Sequence, residues 1–443
     1  MSTWILDRAH EALQDRMEAE DVATRVDLLE RVLPEDIREG DRILWVPGRI
    51  EILGKHTDYA GGRSLLAATH RGMWIVVRPR PDRTVLAIDR VREERTQFDL
   101  SPDLIPMPGW ANYLSTVGRR LSRNFGSLRG ADFFFGSDLP LAAGMSSSSA
   151  LIVAFSLGLI GTNAIEESEN FTNTISSLQD LSGYLGTVEN GQSFGPLSGD
   201  RGVGTFGGSE DHTAILTCKK GHFEQYSFCP IRHEGSIPFL PSVALAIGVS
   251  GVVAQKTGEA MDRYNRASRL ASAVLEGVNA GKQSKWTTLA DAIREQGVEE
   301  TRRALSSAPP GEFTQAEIRE RLDQFVEESE RLVQEAADAL AREDPLGFGS
   351  AVSESQSRGA RLLRNQVEET EWLCDSAVRQ GSITASAFGA GFGGSVWAAV
   401  PESEVDEFLA SWESDYHTKF PSRSCTSEFF VTHPSSAAFE LTA

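Results

Sequence analysis

Cysteine is scarce in this sequence, with four in 443 residues. Cys218, Cys229, Cys374 and Cys425 show no CxxC spacing, which argues against a metal or disulfide framework and reads as buried thiols in a reducing compartment. No apolar run is long enough to span a bilayer. The opening stretch, MSTWILDRAHEALQDRMEAEDVATRVDLLERV, lacks the basic start and small-residue cleavage site of a signal peptide. A cytoplasmic protein without a membrane partner is therefore expected. Basic residues are outnumbered, 43 Lys and Arg against 63 Asp and Glu, for a net charge of −20. That balance argues against nucleic acid as a partner, because phosphate backbones require concentrated cations. It leaves a small phosphorylated ligand open, since a few local cations suffice to hold one.

The remainder is the composition of an ordinary soluble protein, 40% hydrophobic and 24% charged, long enough for two or three domains. No internal repeat or low-complexity tract interrupts it. Residues 4–33 carry helical spacing, while RILWV (42–46), MWIVVRP (73–79), TVLAI (84–88) and ADFFFGS (131–137) have the β-branched and aromatic content of strands. HTAILTC and HFEQYSF, flanking the turn KKGH, read as a hairpin. SVALAIGV (242–249) reads as a buried strand. The proline- and glycine-containing segment 229–242 marks a domain boundary. Thr314 and Glu317 have capping-box spacing, and Ile318, Leu322, Phe325, Leu332, Ala336 and Leu340 then give one apolar helix face. The expected architecture is α+β: a helical segment at 1–40, an N-terminal domain at 41–230 and a C-terminal domain at 240–443, with a cleft between the domains.

Three glycine-rich stretches stand out. GRIEILGKHTDYAGG (48–62) follows a strand and gathers Lys55, His56 and Asp58 beside a tight turn. In DLPLAAGMSSSSALIVAFSLGLI (138–160), Gly144 turns the chain and Ser146, Ser147, Ser148 and Ser149 lead into an apolar helix. Serines at a helix start leave backbone N–H groups unpaired at the positive end of the dipole, where phosphate binds. A serine hydroxyl there can also join the coordination of Mg²⁺. The Walker pattern GxxxxGK[ST] does not occur at this site. SAFGAGFGGSVWAAV (386–400) sets a third glycine-rich turn between two strands, where glycine permits close backbone approach.

Together these stretches resemble the three motifs of the galactokinase, homoserine kinase, mevalonate kinase and phosphomevalonate kinase superfamily. HTDY and its following glycine are most similar to the galactokinase pattern, and the resemblance covers roughly residues 40–430. It implies a two-domain fold with ATP and a sugar meeting in the interdomain cleft, and transfer of the γ-phosphoryl group to a sugar hydroxyl, usually the anomeric one. It further implies that Ser148 and Glu189 hold Mg²⁺, and that Trp110, in WANYL, lies near the nucleotide. Asp211, in GSEDH, matches the catalytic aspartate and Arg49 its partner. His56, Asp58, Gly208 and Tyr264 fall at sugar-contacting positions. Such chemistry is mostly positioning and charge neutralisation, for which cations, backbone donors and an aspartate suffice.

The sequence also departs from that pattern. Glu51 stands where galactokinases typically have asparagine, and Lys55 where they have a glutamate that faces the sugar's C6 hydroxyl. The resemblance implies galactose or a related sugar as acceptor, but Lys55 at a substrate-binding position offers an acidic sugar such as a hexuronic acid as the alternative. Alternatively, Glu51 and Lys55 neutralise one another, or Lys55 turns to solvent. The segment between Glu189 and Asp211 is longer than usual, predicting a glycine-rich loop by the substrate. Glu210 beside Asp211 leaves two acids as catalytic candidates. A rival to the enzyme is a non-catalytic sugar sensor; the intact serine run and Asp211 favour the kinase.

Overall fold

Alternation along the first strands sets up two hydrophobic layers, one on each face of a sheet. In the computed structural model, which describes residues 2–253, 259–280, 282, 285–305 and 311–441, strand β1 (Arg42–Leu53) sends Leu44, Val46, Ile50 and Ile52 into the central core. Ile43 and Trp45 point to the opposite face. That face is covered by two helices, α1 (Ser2–Gln14) and α2 (Ala19–Val32), whose Leu28, Leu29 and Val32 pack on Trp45, Trp74 and Val76. Burial on both faces explains the near-continuous apolar runs read as strands in the sequence.

The long β2 (Arg63–Pro79) pairs along its length with β1, and the sheet continues through β3 (Thr84–Asp89), β4 (Glu94–Asp99) and β5 (Ala131–Ser137) in the order β1-β2-β5-β3-β4. Only the β3–β5 pair is parallel among these. Four helices follow the WANYL and serine segments: α3 (Ala111–Phe125), α4 (Ser147–Thr162), the short α5 (Glu169–Thr172) and α6 (Leu178–Asn190). Helix α4 is apolar all round because it is buried all round, with Ile152, Val153, Ala154 and Phe155 each at most 1% exposed.

The hairpin expected from HTAILTC and HFEQYSF is corrected. The first half is helix α7 (Glu210–Thr217), and the second is strand β6 (His222–Ser227), which hairpins with β7 (Arg232–Pro238). A short apolar run does not by itself distinguish a buried strand from a buried helix. Here Ala214, Ile215 and Leu216 are all buried, and helix α7 packs on α6. Because β7 belongs to the first sheet, the boundary expected at 229–242 is displaced towards its C-terminal end. The chain crosses to a second sheet only between Pro238 and β8 (Val243–Val249).

The second sheet adds β9 (Thr384–Phe388), β10 (Ser395–Pro401) and β11 (Glu428–Thr432), all antiparallel, in the order β11-β8-β10-β9. Helix α8 (Glu259–Asn279) and a long helix lie between β8 and β9. The long helix starts at the Thr314–Glu317 capping box, runs Gln315–Phe325, widens into a π-helical turn at Val326–Leu332 and continues as Val333–Ala341. The six residues of its expected apolar face are all buried. The last strand, β12 (Phe439–Leu441), returns to pair with β1. The segment 240–443 is therefore not confined to the second sheet. The central core draws on both sheets, with Leu245, Ile247 and Trp397 of the second joining Ile50 and Ile52 of the first.

Candidate active site

Helix α4 begins without the side-chain cap that serine ordinarily supplies. Ser146, in the left-handed region at φ 58°, makes no capping bond and instead donates its hydroxyl to Asp211 Oδ2 at 2.6 Å. Ser147 and Ser148 line a cavity of about 440 Å³ at the helix start. Ser149 Oγ lies 2.8 Å from Glu189 Oε2 and 3.1 Å from Asp211 Oδ2, so its single proton is divided between two carboxylates. The third glycine-rich turn braces this loop. A Cβ on Gly144 would come 2.8 Å from the Phe388 carbonyl, and Ser395 Oγ donates to the Ala143 carbonyl at 2.6 Å.

Asp211 sits at the centre. Its Oδ1 accepts from Arg49 Nε at 2.7 Å and lies 2.6 Å from Nη2, while Arg49 Nη1 donates to the Gly144 carbonyl at 2.5 Å. Burial alone lowers the pKa of Arg49, but the carboxylates of Asp211, Glu210 and Glu51 outweigh it and hold the guanidinium above its ordinary value. The neighbouring acid is differently placed. Glu210 accepts from Ser64 Oγ at 2.7 Å, and its side chain is 6% exposed against 21% for Asp211. Burial, then the proximity of Glu51 and Asp58, pushes Glu210 well above the carboxylate range. Of the two adjacent acids, Asp211 is the one bonded to both Arg49 and the serine loop.

At one end of the cavity lie His56, Asp58, Gly208 and Tyr264, joined by Tyr59 and Gly207. His56 has φ 59°, and its Nδ1 is 3.1 Å from the Tyr59 hydroxyl. Burial, followed by the charge of Arg321, depresses its pKa to about 4, so the imidazole is neutral at pH 7. Asp58 Oδ2 accepts the Glu210 N–H at 3.2 Å, and burial raises this carboxyl too. Gly208 is a necessity of close approach: a Cβ there would lie 2.1 Å from Asp58 Oδ2. The lining also includes an aromatic group. Trp110, which precedes α3, meets Phe135 edge-on at 5.4 Å, and Tyr113, Leu141 and Met73 also line the cavity.

Every residue expected at the site lines this cavity except Lys55, whose expected place against the substrate is corrected. Lys55 is 3% exposed and runs beneath the loop. Its Nζ donates to Ser386 Oγ at 2.8 Å and to the Ala387 carbonyl at 2.5 Å, and lies 3.9 Å from Glu51 Oε1. A Cβ on Gly359 would come 2.9 Å from Lys55 Cδ, so that glycine makes room for the stem. A buried ammonium requires fixed acceptors, which β9 supplies, and a counter-charge, which Glu51 supplies. Glu51 and Lys55 thus form a pair, and the acidic-sugar reading loses the residue that carried it.

The fit of a divalent cation rests on the donor set. Among the described residues no group of three His, Cys, Asp or Glu could hold a metal by itself. The Ser148 hydroxyl and Glu189 carboxylate are hard oxygen donors on the cavity wall, as suits Mg²⁺, which takes few protein ligands and completes its shell with water and phosphate oxygens. Sequence reading missed Tyr113, Phe135, Leu141 and Tyr59. Tyr113 had a signal, one helical turn from Trp110. Phe135 had none, because its approach to Trp110 is made by the sheet.

Three family models match along the chain: the galactokinase galactose-binding signature at residues 38–79, the N-terminal domain of the GHMP kinases at 112–179 and their C-terminal domain at 336–418. These matches support a galactokinase-like GHMP kinase. Among curated galactokinases, that of Chloroflexus aggregans is 28% identical over 379 residues, 85% of this chain and 88% of the relative. That of Thermococcus kodakarensis is 27% identical, covering 90% and 99%. The crystal structure of Lactococcus lactis galactokinase complexed with galactose superposes with a TM-score of 0.73 at 20% identity, covering 94% of this chain and 98% of that one, and shows the shared fold. The galactose-binding signature match spans β1, the HTDY loop and β2, which are the elements that carry Arg49, His56 and Asp58.

Proposed function

We propose that this chain is an ATP-dependent sugar kinase that transfers the γ-phosphoryl group to the anomeric hydroxyl of galactose or a closely related neutral sugar. One observation carries the reading: Asp211, bonded to Arg49 and Ser146, lines one cavity together with the aromatic residues Trp110, Tyr113 and Phe135 and the polar residues His56 and Asp58. Trp110, Tyr113 and Phe135 take the adenine face. The N–H groups at the start of α4 and the turn after Gly144 take the polyphosphate. Ser148 and Glu189 would hold Mg²⁺, which when bound neutralises charge on the phosphate oxygens. Asp58, neutral His56 and Tyr264 accept from and donate to the sugar hydroxyls. Asp211 receives the hydrogen bond of the attacking hydroxyl, and Arg49 beside it meets the charge of the transferring group.

We take the two ligands to meet where the elements of the first sheet face the turn between β9 and β10, as in a two-lobed kinase. Soluble small-molecule substrates are the partners this reading requires; among the described residues no helix is long and apolar enough to cross a membrane. ADP release across galactose, glucose and galacturonate tests it. Turnover of galactose well above galacturonate is expected. Sugar binding without ADP release would replace the kinase with a sensor, and preferential turnover of the uronate would overturn the neutral-sugar assignment.

A further inference from the structure

Three buried polar residues lie on the long helix, where its neighbours Ile318, Leu322 and Phe325 form an apolar face. Arg321, Gln324 and Glu328 are each at most 1% exposed, follow one another at three- and four-residue steps, and do not line the cavity. Each bonds to main chain of the acceptor loop. Glu328 Oε1 accepts the N–H groups of Gly54 at 2.9 Å and Lys55 at 3.1 Å, and the Ser355 hydroxyl at 2.8 Å. Gln324 Nε2 donates to the Lys55 carbonyl at 3.0 Å, and Arg321 Nη2 to the His56 carbonyl at 2.6 Å. Arg321 Nη1 bonds to Gln324 Oε1, which ties the row together. Farther along, Ser329 Oγ accepts the Arg63 N–H at 3.1 Å where the loop enters β2. One helix therefore holds both ends of the loop that presents His56 and Asp58.

Satisfaction of buried loop groups would account for one or two such bonds. It does not account for their concentration around His56, a non-glycine residue in the left-handed region that persists only where its surroundings over-determine it. Nor does it account for Arg321 also facing the Tyr59 hydroxyl at 3.3 Å, the group that meets His56 Nδ1. The π-helical turn begins between Gln324 and Glu328, at the point where the row shifts from carbonyl groups to N–H groups of the loop. Such turns are frequent at functional sites.

We propose that Arg321, Gln324 and Glu328 are positioning residues that set sugar affinity by fixing the main chain of residues 54–56, and that they leave the nucleotide end unchanged. This rests on the reading of that loop as the acceptor end of a sugar kinase. The test is steady-state kinetics of Glu328→Ala, Gln324→Leu and Glu328→Gln, with imidazole NMR of His56. Glu328→Ala and Gln324→Leu are expected to raise the KM for galactose about tenfold while that for ATP stays within about twofold. Glu328→Gln keeps an acceptor oxygen and is expected to recover most of the loss. Equal rises in both KM values, or a lower Tm with both unchanged, would overturn the proposal. If Glu328→Ala does not fold, Gln324→Leu carries the same test. If the wild-type protein does not phosphorylate galactose, the kinase reading fails separately. The His56 signal then decides: a shift in Gln324→Leu, with His417 unmoved, supports the positioning row, and an unmoved His56 refutes it.

Discussion

The two ends of the cavity are built by opposite means. The proposed nucleotide end uses backbone and apolar rings contributed by short contiguous stretches: the start of α4, the turn before β10, and Trp110 with Tyr113. Its neutral groups need little support, because N–H groups at a helix start point outward whatever packs behind them. The acceptor end uses ionisable side chains in a buried setting. Glu51, Asp58, Glu210 and Asp211 crowd around Arg49 and Lys55, and each position depends on partners far away in sequence, from Ser64 to Ser386. The lesson is that a motif of charges does not say which charge faces the ligand. Lys55 and Asp58 lie three residues apart on one loop, yet one lines the cavity and the other anchors the loop to β9.

The largest expected effect comes where the two ends join. Asp211→Asn keeps the shape but removes the carboxylate, and kcat is expected to fall about a thousandfold with sugar binding retained. Calorimetry alongside kinetics checks this; equal loss of binding would make Asp211 a ligand anchor instead. Next, Lys55→Met leaves Glu51 without its buried cation and is expected to destabilise the fold by about 3 kcal/mol in denaturant titration. The galactose-to-galacturonate ratio of kcat/KM should stay unchanged in that variant. A large change in the ratio would return Lys55 to the substrate and erase the contrast with Asp58.

His56 gives a pH-dependent comparison. Its pKa falls from 6.5 to about 4 on folding, so between those values the unfolded chain binds the extra proton. Its contribution is complete above pH 6.5 and is lost as pH drops towards 4. From pH 7 to pH 5 the loss is about 2 kcal/mol, measured as the difference between wild type and His56→Asn. A variant with the same acid sensitivity as wild type would show that the imidazole is not held neutral. The smallest effect is expected at the neutral end. Trp110→Ala should raise the KM for ATP about tenfold and leave that for galactose alone.

Much of this was legible beforehand because it is local. The capping box at Thr314, the serine run before an apolar helix and the strand ADFFFGS each encode their element within a few residues, and the structure places them as expected. HTAILTC was misread because five buried residues in a row fit either a strand or a short helix. The orientation of Lys55 and the choice between Glu210 and Asp211 were unreadable for another reason. Each turns on desolvation and on partners more than a hundred residues away.

The sequence by itself determined the serine-lined helix start, the glycine turns and the set of side chains from which an acceptor site could be made. Periodicity and backbone sterics act over a few residues and need no tertiary context. Only the tertiary structure decided which carboxylates are paired, which lysine is withdrawn and how the long helix grips residues 54–56. Burying a charge is tolerated only where the fold brings a partner, and the fold chooses that partner from the whole chain.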